Sequence, residues 1–246
     1  MFAPTAESLQ AFYDTPLGMV ACRSLRREIR KLWPREVAHP ESGRDELIIG
    51  LGFATPYLTP LMKPHGSKIK SRALAFMPAA QGALQWPLKK PSRVAMTAEH
   101  HLPLPDNSVS RVLMVHSLEH AGNPKALLRE VWRVLDACGQ LMVIVPHRTG
   151  LWARAEKTPF GHGRPFSESQ LKNLLQESML SPVEMKSALF LPPSNFRFLI
   201  RSADWWEKGG KVAPFLGGTM IALAEKRLYA TAKGGGKKVR VLAGAR

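Results

Sequence analysis

The stretch His116-Ser117-Leu118-Glu119-His120 places two imidazoles and a carboxylate within five residues. Its H-x-x-E-H pattern is that of the inverted zinc-peptidase motif, where one helix presents both histidines on a single face. Here an apolar run precedes it and Gly122-Asn123-Pro124 follow at once, which leaves room for hardly more than one turn. The expectation is therefore no metal, with Glu119 and His120 capping or anchoring a loop. His100 and His101 are adjacent, so their side chains diverge and chelation is not expected. A second stretch able to do chemistry is "LIIGLGFATPYL", residues 47–58. An apolar run that ends in a tight glycine turn is where a nucleotide-like cofactor sits in an α/β fold. A plain strand-to-helix turn is the alternative. No Ser/His/Asp constellation stands out.

The elements that must position these residues follow from periodicity. Residues 5–33 predict one or two helices: Leu9, Phe12 and Tyr13, then Leu25, Ile29 and Leu32, fall at helical spacing. Pro16 and Gly18 predict a break near "DTPLG". Trp33-Pro34 closes the second helix, because a residue before proline is pushed out of the α region. "PREVAHPESGRD" reads as a linker. The continuous apolar run "LIIGLG" suits a strand buried on both faces. Further strands are expected at 72–79, 92–97, 110–116 and 140–146. "NPKALLREVWRVLDACG", 123–139, predicts a helix with Asn123 as its cap, Pro124 in its first turn and Gly139 just past its end. "SESQLKNLLQESM" predicts another, with Ser167 and Gln170 at capping-box spacing. "PVEMKSALFLP" and "GGTMIALAEKRLYA" read as two late strands able to form an antiparallel edge. Strands alternating with helices argue for a mostly parallel sheet covered on both faces.

The bulk numbers set bounds. A chain of 246 residues with 45% hydrophobic content suits one large domain with an extension. Cys22 and Cys138, far apart, make no disulfide framework, which points to a reducing compartment. No apolar run approaches ~18 residues, and "MFAPTAESLQAFYD" lacks the pattern of a signal peptide. A cytoplasmic location is the expectation. The charge is the outlier: 35 Lys and Arg against 19 Asp and Glu give +16. Arg23, Arg26, Arg27, Arg30, Lys31 and Arg35 form one basic group, Lys63, Lys68, Lys70 and Arg72 a second, and the tail "TAKGGGKKVRVLAGAR" a third. An anionic partner such as RNA is one reading, through the 23–35 helix and the 232–246 tail. Charge spread for solubility is the other.

Four segments in order resemble one family. "LIIGLGFATPYL" resembles its motif I turn, and "LPLPDNSVSRVLMVHSLEHAGNPKALLREVWRVLDACGQLMVIVP" resembles its central core. "TPFGHGRPFSESQL" and "LGGTMIALAEKRLYA" are similar to its later loop and last strand. The family is the class I S-adenosylmethionine-dependent methyltransferases, in their type-11-like branch. Within it the chain resembles a bacterial subgroup. The resemblance implies a Rossmann-like seven-stranded sheet, mostly parallel with an antiparallel last strand, helices on both faces and an N-terminal helical extension. Its expected divisions are 1–43 for the extension, 44–230 for the methyltransferase-like domain and 231–246 for a flexible basic tail.

The resemblance also implies S-adenosylmethionine as cofactor, S-adenosylhomocysteine as product and an acceptor outside the strand ends. Carried over position by position, motif I falls on Gly50, Leu51, Gly52, Ala54 and Pro56, without its leading carboxylate and with proline for the last glycine. Thr55 offers a hydroxyl to the carboxylate of the methionine part, and Tyr13 is a further contact that compensates for a missing acid. The ribose-holding acid of the second strand falls near Met77-Pro78, where no acid stands. The third-strand acid falls in "TAEHH", on Glu99 with His100 beside it. His116, ending the fourth strand, matches the position between donor and acceptor. His147 and Arg148, just past Pro146, and Phe160 and Arg164 of a lid-like loop are the acceptor-side candidates. Packing of Phe160 and an ion pair at Arg164 is the alternative there. His116 and His147 are the residues expected nearest the reacting acceptor. The implied function is methyl transfer by direct displacement. A catalytically weak or inactive fold acting as a basic binding module is the alternative, since two expected carboxylates are missing.

Overall fold

β1 (Glu46–Gly52) is an inner strand of the sheet, with its last five residues buried. It pairs in parallel with β2 (Ser71–Pro78) on one side and β4 (Val109–Val115) on the other. The computed structural model describes residues 4–33, 46–61, 71–194, 196–209 and 216–227. The linker at 34–45, Arg35, Lys63, Lys68, Lys70 and the basic tail lie outside the described residues. The sheet has seven strands in the order β3-β2-β1-β4-β5-β7-β6, with β3 at Val94–Thr97, β5 at Leu135–Pro146, β6 at Leu180–Ala188 and β7 at Thr219–Lys226. β7 runs antiparallel to both of its neighbours, β5 and β6. The strand order reverses between β1 and β4, so a crevice opens at the carboxyl ends of these two strands.

Two cores flank the sheet. On one face α1 (Ala6–Tyr13), α2 (Pro16–Leu32) and α3 (Thr55–Leu61) bury Leu9, Leu25, Ile29, Tyr57 and Leu58 against Ile48, Leu113 and Ile144. On the other, α4 (Pro124–Val134) and α5 (Glu168–Glu177) bury Leu128, Val131 and Leu171 against Ile49, Val112 and Val143. Alternate strand residues therefore feed opposite layers, as a twofold side-chain period requires. The helix break falls where expected: Thr15 caps α2 by accepting a bond from the Gly18 main-chain N–H, and Pro16 occupies its first turn. The capping box at Ser167 and Gln170 is formed reciprocally.

One expected helix is too long. α4 starts at its Asn123 cap as foreseen, with the side-chain oxygen accepting from Ala126 N–H at 3.0 Å, but ends at Val134 rather than near Gly139. Leu135 turns extended (φ −61°, ψ 137°) and pairs with Val109, fully buried. The ladder then skips to Arg111 opposite Gln140, and Asp136 accepts from Cys138 N–H across the intervening bulge. Burial of Leu135 beside the sheet wins over helix propensity at 135–139, so Gly139 caps no helix. The stretch between the late strands holds two short helices that periodicity did not reveal, α6 (Arg197–Arg201) and α7 (Ala203–Gly209). Trp205 of α7 is 68% exposed.

Both ends of the β1–β4 pair carry buried polar groups. At the amino end Arg111 Nε lies 3.0 Å from Glu46, whose other oxygen accepts from Ser71 at 2.6 Å. The Arg111 guanidinium also stacks over Trp33, 5.5 Å from the ring centre. Burial pulls the Arg111 pKa down, and the Glu46 carboxylate pulls it back up. The carboxyl end is the site described next. A third feature bears on it from a distance. Trp152 donates from its indole to Leu191 O at 2.7 Å, and its ring lies so close to Gly218 that a Cβ there would sit 2.1 Å from it. Only a glycine admits the indole at that point on the sheet's antiparallel side.

Candidate active site

The glycine turn after β1 is built for packing. A Cβ on Gly50 would lie 2.7 Å from the Ala54 Cβ and 2.8 Å from Leu58, so this glycine lets α3 close onto the strand. Gly52 has φ +70°, and a Cβ there would meet Val115 O at 2.4 Å. It can be only glycine without strain. Ala54 and Met77 are fully buried in the core. Thr55 is buried too, on the side of a broad groove beside α2 that Arg23, Arg26 and Arg30 also line.

A cleft of about 480 Å³, its open mouth included, lies over the carboxyl ends of the parallel strands. It brings together Leu51, Gly52, Pro78, Glu99 and His116 from the sequence-derived set. His100 is exposed and lies outside it. His147 is half-buried at the end of β5, with its ring 3.2 Å from Gly217 O. Arg148 and Arg164 are exposed. The Arg164 main chain donates to Glu119 O at 2.8 Å. Phe160 is buried with its ring 4.7 Å from that of His116 and is itself braced edge-on by Trp152 at 5.6 Å. Phe160 thus belongs to the wall behind His116.

Gln81 is the residue that sequence reasoning missed. It follows β2 on a turn, lines the cleft and is 3% exposed. Its amide nitrogen donates to His116 O at 3.1 Å, while its amide oxygen is buried without a partner. The resemblance maps the ribose-holding acid to Met77-Pro78; the polar group stands a few residues later, past a turn that strand periodicity does not mark.

His116 is the hinge of the polar cluster. It sits in the left-handed region at φ +52°, a conformation histidine tolerates better than branched residues do. Its Nε2 lies 2.9 Å from the Tyr13 hydroxyl, which accepts from Tyr57 O–H at 2.8 Å. Tyr13 stacks on Phe53 with ring centres 5.8 Å apart. Burial pushes both phenols well above their ordinary pKa, so both stay protonated and serve as hydrogen-bonding groups. The Nδ1 face of His116 lies 3.4 Å from Glu119 Oε1, with both side chains essentially inaccessible at 0% and 1%. Glu119 Oε2 accepts from Ser117 N–H at 3.1 Å. Leu118–His120 is a single 3-10 turn. Burial lowers the pKa of His120. Glu99 lines the opposite rim, where one carboxylate oxygen accepts from Gly122 N–H at 2.9 Å.

Comparison with known proteins agrees with the fold. Residues 50–143 match the family model of a methyltransferase domain. A SAM-dependent methyltransferase of Thermotoga maritima, described as a possible histamine N-methyltransferase, superimposes with a TM-score of 0.58 at 19% identity, covering 90% of this chain and 96% of its own. A SAM-dependent methyltransferase of Aquifex aeolicus gives 0.52 at 15%, covering 89% and 97%. Geranyl diphosphate C-methyltransferase of Streptomyces coelicolor, solved with S-adenosyl-L-homocysteine, gives 0.51 at 14%, covering 78% and 75%. No curated protein sequence matches the chain. The match over 50–143 and the shared sheet make this chain a class I methyltransferase-fold protein.

Proposed function

We propose that the chain is an S-adenosylmethionine-dependent methyltransferase acting by direct displacement. The observation that carries this reading is the cleft at the carboxyl ends of the parallel strands, which Gln81 after β2 and Glu99 after β3 both line. The residues fit the donor. The orphaned Gln81 oxygen asks for a hydrogen-bond donor, such as a ribose hydroxyl, in place of the absent acid. Glu99 suits an exocyclic amine, and Leu51, Phe76 and Leu102 suit the faces of a flat base. When bound, the donor supplies a methyl group on a sulfonium that is already activated for displacement. What the protein adds is chiefly alignment.

His116, held from behind by Tyr13, closes the methionine end of the cleft and stands nearest the acceptor. A general base is needed only for an acceptor whose proton must leave early. His147, Arg148 and Arg164, in the loops after β5, are the proposed acceptor-side residues. The test is calorimetric titration with S-adenosylmethionine and S-adenosylhomocysteine. Saturable binding of either is expected, and no heat at millimolar ligand overturns the reading.

One observation favours a second reading, a binding module for an anionic macromolecule. Arg23, Arg26, Arg27 and Arg30 of α2 line one broad groove. RNA binding that falls steeply with salt, in a protein that ignores the methyl donor, would favour it.

A further inference from the structure

The buried polar cluster at the end of β4 has three ligand-type atoms that make no hydrogen bond. His116 Nδ1, Glu119 Oε1 and His120 Nε2 are each buried without a hydrogen-bond partner. These are one atom each of the three residues whose ligand atoms all lie within 4.8 Å of one another. Unpaired buried polar atoms cost about 1–3 kcal/mol apiece, so three converging on one point require an explanation.

A shared proton does not provide it. His116 Nδ1 and Glu119 Oε1 are 3.4 Å apart yet do not meet hydrogen-bond geometry. That spacing is the edge of a coordination polyhedron: two ligand atoms each ~2.1 Å from a tetrahedral zinc stand about 3.4 Å apart. His120, half-buried, offers its ligand atom within 4.8 Å of the other two. The supporting shell is also present. Tyr13 O lies 2.9 Å from His116 Nε2, and in the tautomer that carries its proton on Nε2, donated to this hydroxyl, Nδ1 is the lone-pair nitrogen a metal takes. Ser117 N–H holds the second oxygen of Glu119.

We propose that His116, Glu119 and His120 form a binding site for one divalent transition-metal ion, zinc by its donor set, with the fourth position left to water or substrate. Two imidazoles and a carboxylate are the donor set that zinc takes where it keeps one position open. The sequence argument against a metal was that H-x-x-E-H needs a helix. Here the histidines converge by another route: the left-handed turn at His116 and the 3-10 turn at Leu118–His120 bend the chain back on itself. Both histidines line the donor cleft, so the ion would stand beside the methyl-transfer site. Ligation of Nδ1 makes His116 an orienting group rather than a proton acceptor. The inference rests on the local geometry alone and holds whether or not the chain turns over methyl groups.

The test is metal content and metal affinity of the full chain. After stripping with chelator, titration with Zn²⁺ against a competing chelator should load about one equivalent, and Co²⁺ should give d–d bands of a low-symmetry four-coordinate site. Glu119→Gln and His120→Asn should each weaken loading by about 100-fold or more, and Tyr13→Phe by about 10–100-fold. Replacing the exposed His100 and His101 by alanine should leave the equivalent intact, which separates this site from surface histidines. His120→Asn, at a half-buried position, carries the test if Glu119→Gln does not fold. A folded wild-type chain that takes up well under one equivalent overturns the proposal. So does loading that Glu119→Gln and His120→Asn do not change.

Discussion

The two ends of the β1–β4 pair use the same kinds of buried charged group and treat them differently. At the amino end Glu46 and Arg111 are matched: Arg111 meets Glu46 at 3.0 Å, Ser71 donates to the second carboxylate oxygen, and Trp33 covers the guanidinium. At the carboxyl end His116, Glu119 and Gln81 each keep a buried polar atom without a partner. A fully paired buried ion is a structural device, costly only when half of it is removed. Unpaired atoms are tolerated where something else completes them. The contrast separates the end of the sheet whose charges are paired from the end that carries the proposed site.

Single substitutions can break this contrast or sharpen it. Glu46→Gln removes the half-buried carboxylate beside the buried Arg111 and should cost about 3–5 kcal/mol, seen as a loss of thermal midpoint of roughly 6–20 °C for a chain of this size. Its donor affinity should be unchanged; a stable variant with weakened binding would erase the division of roles. Gly52→Ala should come next, since the positive φ alone costs about 1–3 kcal/mol and the added methyl collides with Val115 O. Denaturant unfolding reads this directly, and a silent substitution would mean that the turn is looser than described. Glu99→Gln should leave stability nearly intact while weakening S-adenosylmethionine binding by roughly ten- to a hundredfold, the worth of a charge-assisted bond of about 1.5–3 kcal/mol. Calorimetry would show equal affinities if Glu99 serves only Gly122. Tyr13→Phe keeps the stack on Phe53 but removes two hydrogen bonds, for about 1–2 kcal/mol of stability. His100→Ala should change neither quantity by more than about 0.5 kcal/mol; any larger effect on binding would move the rim of the cleft outward.

Much of the architecture was legible in the letters. The doubly covered sheet announced itself in "LIIGLG" and "RVLMV", whose unbroken apolar runs have one use in an α/β chain. Caps at Asn123 and Ser167 were readable because the residues that make them are neighbours in sequence. The end of α4 was not, because Leu135 leaves the helix for a partner, Val109, far away in the chain. The site divides in the same way. Gly52, Glu99 and His116 could be placed by resemblance to a motif. Gln81 could not, since its significance lies in a main-chain bond to His116 across the strand ends. The convergence of His116 with His120 was read against a helix template, and the backbone reaches it through a left-handed residue that no local pattern marks.

The Trp152 socket extends the site's boundary well beyond its own residues. The indole is clamped between Gly218 and the carbonyl of Leu191, Phe160 leans on the indole, and the His116 ring leans on Phe160. The angle of the histidine is thereby referred to the seating of a tryptophan on the far, antiparallel side of the sheet. For anyone redesigning this pocket, the two glycines before β7 are as much its specification as any residue that touches the ligand. A chain with every cleft residue copied but an alanine at 218 would not build the same pocket.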